Sequence, residues 1–192
     1  MSNATIGFAM CGSYCTFERA IAALERLCGA YGDIVPIMSE NAYAKDTRFG
    51  RAETFHAQIT ELCGKEIIHT IEEAEPIGPR ALLDVLVIAP CTGNTLSKIA
   101  NGVTDTAVTM AAKAQLRNNR PVLIAISTND ALSGSAPALG ALLARRNIFF
   151  VPFYQDDPAG KPTSLLARLE LLNESVKAVI DGKQLQPIID AT

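Results

Sequence analysis

The chain has 192 residues, 48% of them hydrophobic and 19% charged, with a formal net charge of −3. That length suits one domain with a substantial core, and the slightly acidic balance argues against nucleic acid or an anionic membrane surface as a partner. No apolar run approaches the roughly 20 residues that a membrane-spanning helix needs, and the first residues lack a basic region followed by a long apolar stretch, so the expected location is the cytoplasm.

Residues 5–10 (TIGFAM) open the chain as a buried strand. A turn, MCGSYCTF, leads into a helix predicted over 17–30, where Ile21, Leu24, Leu27 and Cys28 recur at helical spacing. A second strand is expected over 33–38 and ends at Ser39 and Asn41. The segment 39–80 is the least regular, with Gly50, Gly64, Pro76 and Pro79, and one helix expected over 54–63. Residues 84–111, DVLVIAPCTGNTLSKIANGVTDTAVTMA, carry most information. A very apolar strand runs into a loop of small polar residues that opens a helix (95–100), and an Asn-Gly turn opens a second helix (105–118). Strands at 121–127 and 148–152 and helices at 137–146 and 164–181 follow. The stretch 155–162 (QDDPAGKP) reads as a surface loop or mobile flap, and the residues after Gly182 as a loosely held tail. Strands alternating with helices argue for one domain over 1–192, a three-layer αβα architecture on a mostly parallel sheet, flavodoxin-like or Rossmann-like.

In such a sheet ligands sit beyond the carboxyl ends of the strands. Four predicted strand ends carry short polar groups: Gly12 with Ser13, Ser39 with Asn41, Thr92 to Thr95, and Thr128 to Asp130. Free N–H groups at strand-to-helix junctions suit a phosphate or another anion, expected near Ser13 or Ser39. The same residue types also serve as plain helix caps and turns. Asn94 both donates and accepts hydrogen bonds, so it suits a ring edge or a carboxylate. No GxGxxG fingerprint is present, so unaided nicotinamide binding is not expected. The five cysteines (Cys11, Cys15, Cys28, Cys63, Cys91) form no CxxC pair, and with only His56 and His69 beside them no metal site is expected. Cys91 suits a small buried thiol better than a nucleophile, since no base lies near it in sequence. Lys98, Lys113, Arg117 and Arg120 are candidate partners for substrate carboxylates, or solvated helix faces.

Together these pieces resemble the flavoprotein family that includes phosphopantothenoylcysteine decarboxylase and the peptidyl-cysteine decarboxylases. The family's PASANT loop stands here as PCTGNT (90–95), its NG-x-x-D element as Asn101, Gly102 and Asp105, its first glycine-serine turn as Gly12 and Ser13, and its Ser/Thr after the second strand as Ser39. The resemblance implies FMN held by Gly12, Ser13, Ser39, Thr92, Gly93, Asn94, Thr95 and Asn129, with Asn94 as the catalytic group. It also implies a homo-oligomer with the FMN site at a contact between protomers, for which Ala107, Ala111 and Ala112 offer a small-residue face or else pack inside the monomer. Two departures count against decarboxylation. The family's PxMN motif reads Ile126, Ser127, Thr128, Asn129, and the place of its catalytic histidine falls near Ile77 or Gly78.

Within the family, EPIGPRALLDVLVIAPCTGNT, NGVTDTAVTMAAKAQLRNNRPVLIAISTNDALS and FFVPFYQDDPAGKP are similar to the smaller subunits of a two-subunit oxidoreductase of sporulating bacteria. That similarity implies oxidation of a dihydropyridine dicarboxylate in the mother cell, with a larger A subunit that resembles dinucleotide-dependent dehydrogenases and brings NAD(P). Two other readings stand beside it: an FMN-dependent decarboxylase of a cysteine-derived substrate, and a non-catalytic partner subunit that keeps the fold.

Overall fold

Buried positions along the strands alternate between two cores, and this alternation sets the layers of the molecule. In the computed structural model, which describes residues 2–189, strand β3 (Val85–Cys91) lies at the centre and is buried along its whole length. Its Val85, Val87 and Ala89 join one core with α1 (Phe17–Ala30), α3 (Ala52–Cys63) and α8 (Leu172–Ile180). Its Leu86 and Ile88 join the other core with α5 (Gly93–Asn101), α6 (Ala107–Arg117) and α7 (Ala136–Leu143). A strand covered on both faces reads as an unbroken apolar run, as VLVIA does.

The sheet has β1 (Ser2–Met10), β2 (Tyr31–Met38), β4 (Val122–Thr128) and β5 (Ile148–Phe150) parallel to β3 in the order β2-β1-β3-β4-β5. The chain builds leftward from β1 to β2, then returns to the other side of β1, so the order reverses between β1 and β3. That reversal opens a crevice above the carboxyl ends. The three-layer, mostly parallel expectation is met.

Local chemistry explains the element boundaries. The Thr92 side chain caps α5 by accepting from Thr95 N, and Gly102, at φ 72, ends the helix in the left-handed region that glycine adopts without a Cβ penalty. Thr106 and Thr109 cap α6 reciprocally. The irregular segment holds two short α-helices besides α3, namely α2 (Glu40–Ala44) and α4 (Ile71–Ala74), and a 3-10 turn over Glu75–Ile77.

Three expectations change. Residues 164–181 are not one helix. They begin as strand β7 (Leu165–Ala167), which pairs antiparallel with the last two residues of β4 and with β6 (Phe153–Tyr154) before α8 starts. Leu-Leu-Ala suits helix and strand alike, and the open end of β4's edge decided it. The segment after Gly182 is tied down as far as it is described: the Gln184 side chain accepts from Phe150 N at 2.8 Å and donates to Phe150 O at 2.7 Å, and Phe153 N donates to Ile188 O at 3.0 Å. Ala107, Ala111 and Ala112 are 0%, 0% and 1% exposed and pack inside the monomer.

Candidate functional site

A crevice of about 640 Å³ opens above the carboxyl ends of β1, β3 and β4. Gly12, Ser13 and Thr16 line it from the turn after β1, Thr92 from the end of β3, and Ser127 to Asn129 from the end of β4. The β6–β7 connection adds Asp156, Lys161 and Ser164. Arg19 on α1 and the pair Arg48 and Phe49 ahead of α3 complete it.

Three hydroxyls meet in this crevice. Ser13 Oγ lies 2.8 Å from Ser127 Oγ, Thr16 Oγ1 lies 2.9 Å from Ser127 Oγ, and Ser13 Oγ lies 3.2 Å from Thr16 Oγ1. Hydroxyl protons rotate, so a group bonded only to its neighbours can turn toward an incoming anion. The backbone of the same turn supports this. Ser13 N donates to Cys11 O and Thr16 N to Ser13 O, while the N–H groups of Gly12, Tyr14 and Cys15 have no backbone acceptor among the described residues. The donor set therefore fits a phosphate.

The other residues singled out from sequence fall into two groups. Thr92 and Asn129 line the crevice with Gly12 and Ser13. Ser39, Gly93, Asn94 and Thr95 do not. Ser39 is buried, its Oγ accepting from Ala42 N at 3.4 Å to cap α2 and its N–H donating to Met10 O at 3.0 Å. Thr95 is also buried and donates to Cys11 Sγ at 3.2 Å. Asn94 is exposed on the first turn of α5. Gly93 is buried against a polar cluster in which Thr128 Oγ1 donates to Asp130 Oδ1 at 2.5 Å and Ser135 Oγ donates to the same oxygen at 3.0 Å. A Cβ on Gly93 would stand 2.6 Å from Asp130 Oδ1 and 2.8 Å from Thr128 Oγ1, so the cluster requires glycine there.

The buried thiols Cys11 and Cys91 and both histidines lie outside the crevice lining. Burial pushes the Cys11 thiol up to about 11 against the opposing Thr95 hydrogen bond, and burial beside Cys11 raises Cys91 well above its ordinary value. Neither supplies a thiolate near neutral pH. His56 and His69 stack on the Tyr43 ring, at 4.0 and 3.8 Å between centroids, and neither lines the crevice. Ile77 is fully buried in the core, so its position carries no acid–base group into the site.

The cations differ from those expected. Lys98 pairs with Asp105 at 2.9 Å. Arg120 pairs with Asp84 at 3.3 Å and also bonds the Leu83 carbonyl, just before β3 and so at the amino end of the sheet. Lys113 and Arg117 line a separate pocket of about 310 Å³ beside α5 and α6. Arg19, Arg48 and Lys161 line the crevice instead. They sit at a helix start and in two irregular loops, where no periodicity points at them. Ser127 and Thr128 stand between Ile126 and Asn129 at the end of an apolar run, and that is their signal in the sequence.

The sequence matches the family described as Flavoprotein over residues 1–139. It is 46% identical over 184 residues to the dipicolinate synthase B subunit of Bacillus subtilis (strain 168), covering 96% of this chain and 92% of that one. The structure superposes on the dipicolinate synthase B subunit from Bacillus halodurans C with a TM-score of 0.91 and 40% identity, covering 100% of this chain and 98% of the other. The FMN-dependent cysteine decarboxylase SpaF shares the fold, with a TM-score of 0.67 at 20% identity over 93% of this chain and 96% of its own.

Proposed function

The chain belongs to the flavoprotein family and, within it, stands with the dipicolinate synthase B subunits; from that premise we propose that it works with the dipicolinate synthase A subunit to oxidise dihydrodipicolinate to dipicolinate, pyridine-2,6-dicarboxylate, in the cytoplasm of a sporulating mother cell. The observation that carries this reading is the near-full-length similarity to the Bacillus subtilis protein. The crevice agrees with it. Aromatising a dihydropyridine removes two electrons as hydride together with a proton, and side chains accept no hydride. FMN supplies that acceptor chemistry when bound, or NAD(P) does so through the A subunit.

The protein's own groups bind and orient. The Ser13, Thr16 and Ser127 hydroxyls and the N–H groups of Gly12, Tyr14 and Cys15 would hold the FMN phosphate. Thr92 and Asn129 line the space beside them. Gly93 keeps the Thr128–Asp130–Ser135 cluster tight against α5, which fixes the loop that carries Asn129. Asn94 lies outside this crevice in the single chain, so its proposed part in catalysis requires a second protomer that closes over the first turn of α5. That requirement goes with the homo-oligomer proposed from the family resemblance. Ser39 and Thr95 then act by holding α2 and α5 in place.

A decarboxylase of a cysteine-derived substrate is the weaker reading, because no histidine lines the crevice. The deciding assay supplies dihydrodipicolinate and a nicotinamide acceptor to the two subunits separately and together. Pyridine product from the mixture alone is the expected result, and full turnover by this chain alone overturns the two-subunit reading. The visible spectrum of freshly purified protein tests FMN directly.

A further inference from the structure

The crevice holds one cation whose charge the protein leaves unanswered. The Arg48 guanidinium lies over the Phe49 ring, 4.8 Å from its centroid. The contact is to a ring rather than to a hydrogen-bond acceptor, and the N–H donors of the group lie in its plane. Among the described residues no carboxylate or carbonyl accepts from Arg48. Other arginines show the contrast. Arg51 pairs with Glu53 at 3.3 Å. Arg168, stacked over Tyr154 at 3.9 Å, also pairs with Glu170 at 3.6 Å. The other two crevice cations are paired as well, Lys161 with Asp156 at 3.0 Å and Arg19 more loosely with Glu170 at 3.9 Å.

The Arg48–Phe49 pair sits on a built turn. Thr47 N donates to Gly50 O at 3.0 Å and Gly50 N to Thr47 O at 3.1 Å. Gly50, at φ 149, lies directly against the Phe55 ring, which packs edge-on against Phe17 with 5.1 Å between centroids. The turn is thus pinned to α1 and α3. Phe49 itself is 41% exposed, a large apolar ring in the crevice wall.

Resting on the dipicolinate synthase reading, we infer that Arg48 and Phe49 are where this chain itself holds a planar aromatic dicarboxylate. One carboxylate takes the in-plane N–H fork of Arg48, as guanidinium and carboxylate geometry favours. The ring packs on Phe49. The second carboxylate faces Arg19 and Lys161, whose partners Glu170 and Asp156 are held by other bonds as well. The hydroxyl cluster and the Arg48 turn divide one crevice into a cofactor zone and a substrate zone.

The test is calorimetric titration of pyridine-2,6-dicarboxylate into the purified chain and into its complex with the A subunit, each with and without FMN. Binding is expected to weaken about tenfold or more in Arg48→Ala, the effect of losing a charge-assisted pair, and by a few-fold in Phe49→Ala. Arg48→Lys keeps the charge without the fork and is expected to recover part of the loss. Arg51→Ala removes a neighbouring charge outside the crevice and leaves affinity unchanged. Pyridine-2-carboxylate, with one carboxylate, binds more weakly than the dicarboxylate to wild type. In the active pair, Arg48→Ala raises KM and leaves kcat close to wild type. No binding to any wild-type form, or equal affinity in folded Arg48→Ala, overturns the inference. If the mixed subunits make dipicolinate with an unchanged KM in Arg48→Ala, the substrate zone is wrong and the function stands. If the mixed subunits make none, the function fails, and the titration still decides the binding zone.

Discussion

At the scale of single residues, the crevice hydroxyls and Gly93 make separable demands. Ser127 sits between Ser13 and Thr16 and touches both. Ser127→Ala leaves the other two oxygens with a gap on one side and one donor fewer for a phosphate. FMN affinity, read by quenching of flavin fluorescence, is expected to fall about tenfold, with little change in thermal stability. Equal affinity in the variant removes Ser127 from the phosphate site. Gly93→Ala makes the opposite split. Its Cβ enters a cluster with no room, and overpacking of this kind costs roughly 1–3 kcal/mol. Urea unfolding checks that cost, and an unchanged midpoint would mean that the 128–135 loop yields freely. The thiols give a third test. Cys15 is exposed and lines the crevice, whereas burial raises Cys28, raises Cys63 to about 12, and keeps Cys11 and Cys91 protonated. A thiol reagent at neutral pH should label Cys15 first, and a bound phosphate or FMN should slow that labelling. Equal labelling of all five before unfolding contradicts the buried positions. Gly12, Ser13, Thr92 and Asn129 were legible in sequence because each follows an apolar strand. Thr16, Arg19, Arg48 and Lys161 were not, because helix starts and irregular loops carry no periodic mark. Ser39 and Thr95 carry the same short hydroxyl as the crevice residues, and only their hydrogen-bond partners and their place outside the crevice tell cap from ligand.

Secondary elements show the same division. The parallel strands and the helices α1, α5 and α6 follow from apolar spacing and from caps written into the chain, such as Thr92, Thr106 and Gly102. The strand β7 does not, since Leu165 to Ala167 takes its form from a distant edge of β4. The connection ahead of it is held by a partly buried carboxylate. Burial resists ionisation of Asp156, yet Ser164 Oγ at 2.6 Å and Lys161 Nζ at 3.0 Å donate to it and together keep its carboxyl below the usual range. A lowered carboxylate contributes stability that is complete above its unfolded value, about 3.9, and lost as pH falls through the folded value. The 155–164 connection is therefore expected to loosen only below about pH 4, and Asp156→Asn should loosen it at neutral pH. Limited proteolysis across that range reads both. Cutting of wild type already at pH 6 would place the hold elsewhere.

For the whole molecule, the layer order was readable and the assembly was not. Alternating strands and helices force a parallel sheet covered on both faces, and the five-strand order with its reversal between β1 and β3 is what puts the ends of β1, β3 and β4 around one opening. Assembly depends on surfaces, and the alanine face that sequence offered for it is core. We expect self-association through other surfaces, in keeping with Asn94 needing a covering chain. Light scattering checks this, and a monomer at working concentration refutes it. In an oligomer, Asn94→Ala should lower the rate of the proposed two-subunit enzyme without unfolding the chain. An unchanged rate favours the reading in which this chain keeps the fold and assists without reacting.

Strand β5 has three residues beside a seven-residue β4. The shortfall leaves a berth along the upper part of β4, and the β6–β7 hairpin moors there by two residue pairs. Residues 188 and 189 then close the hairpin's outer side at Phe153. One wall of the crevice is thus a module clipped to a finished sheet rather than part of its weave. A change in the length or sequence of that hairpin is therefore expected to alter what the opening admits while the five parallel strands keep their register.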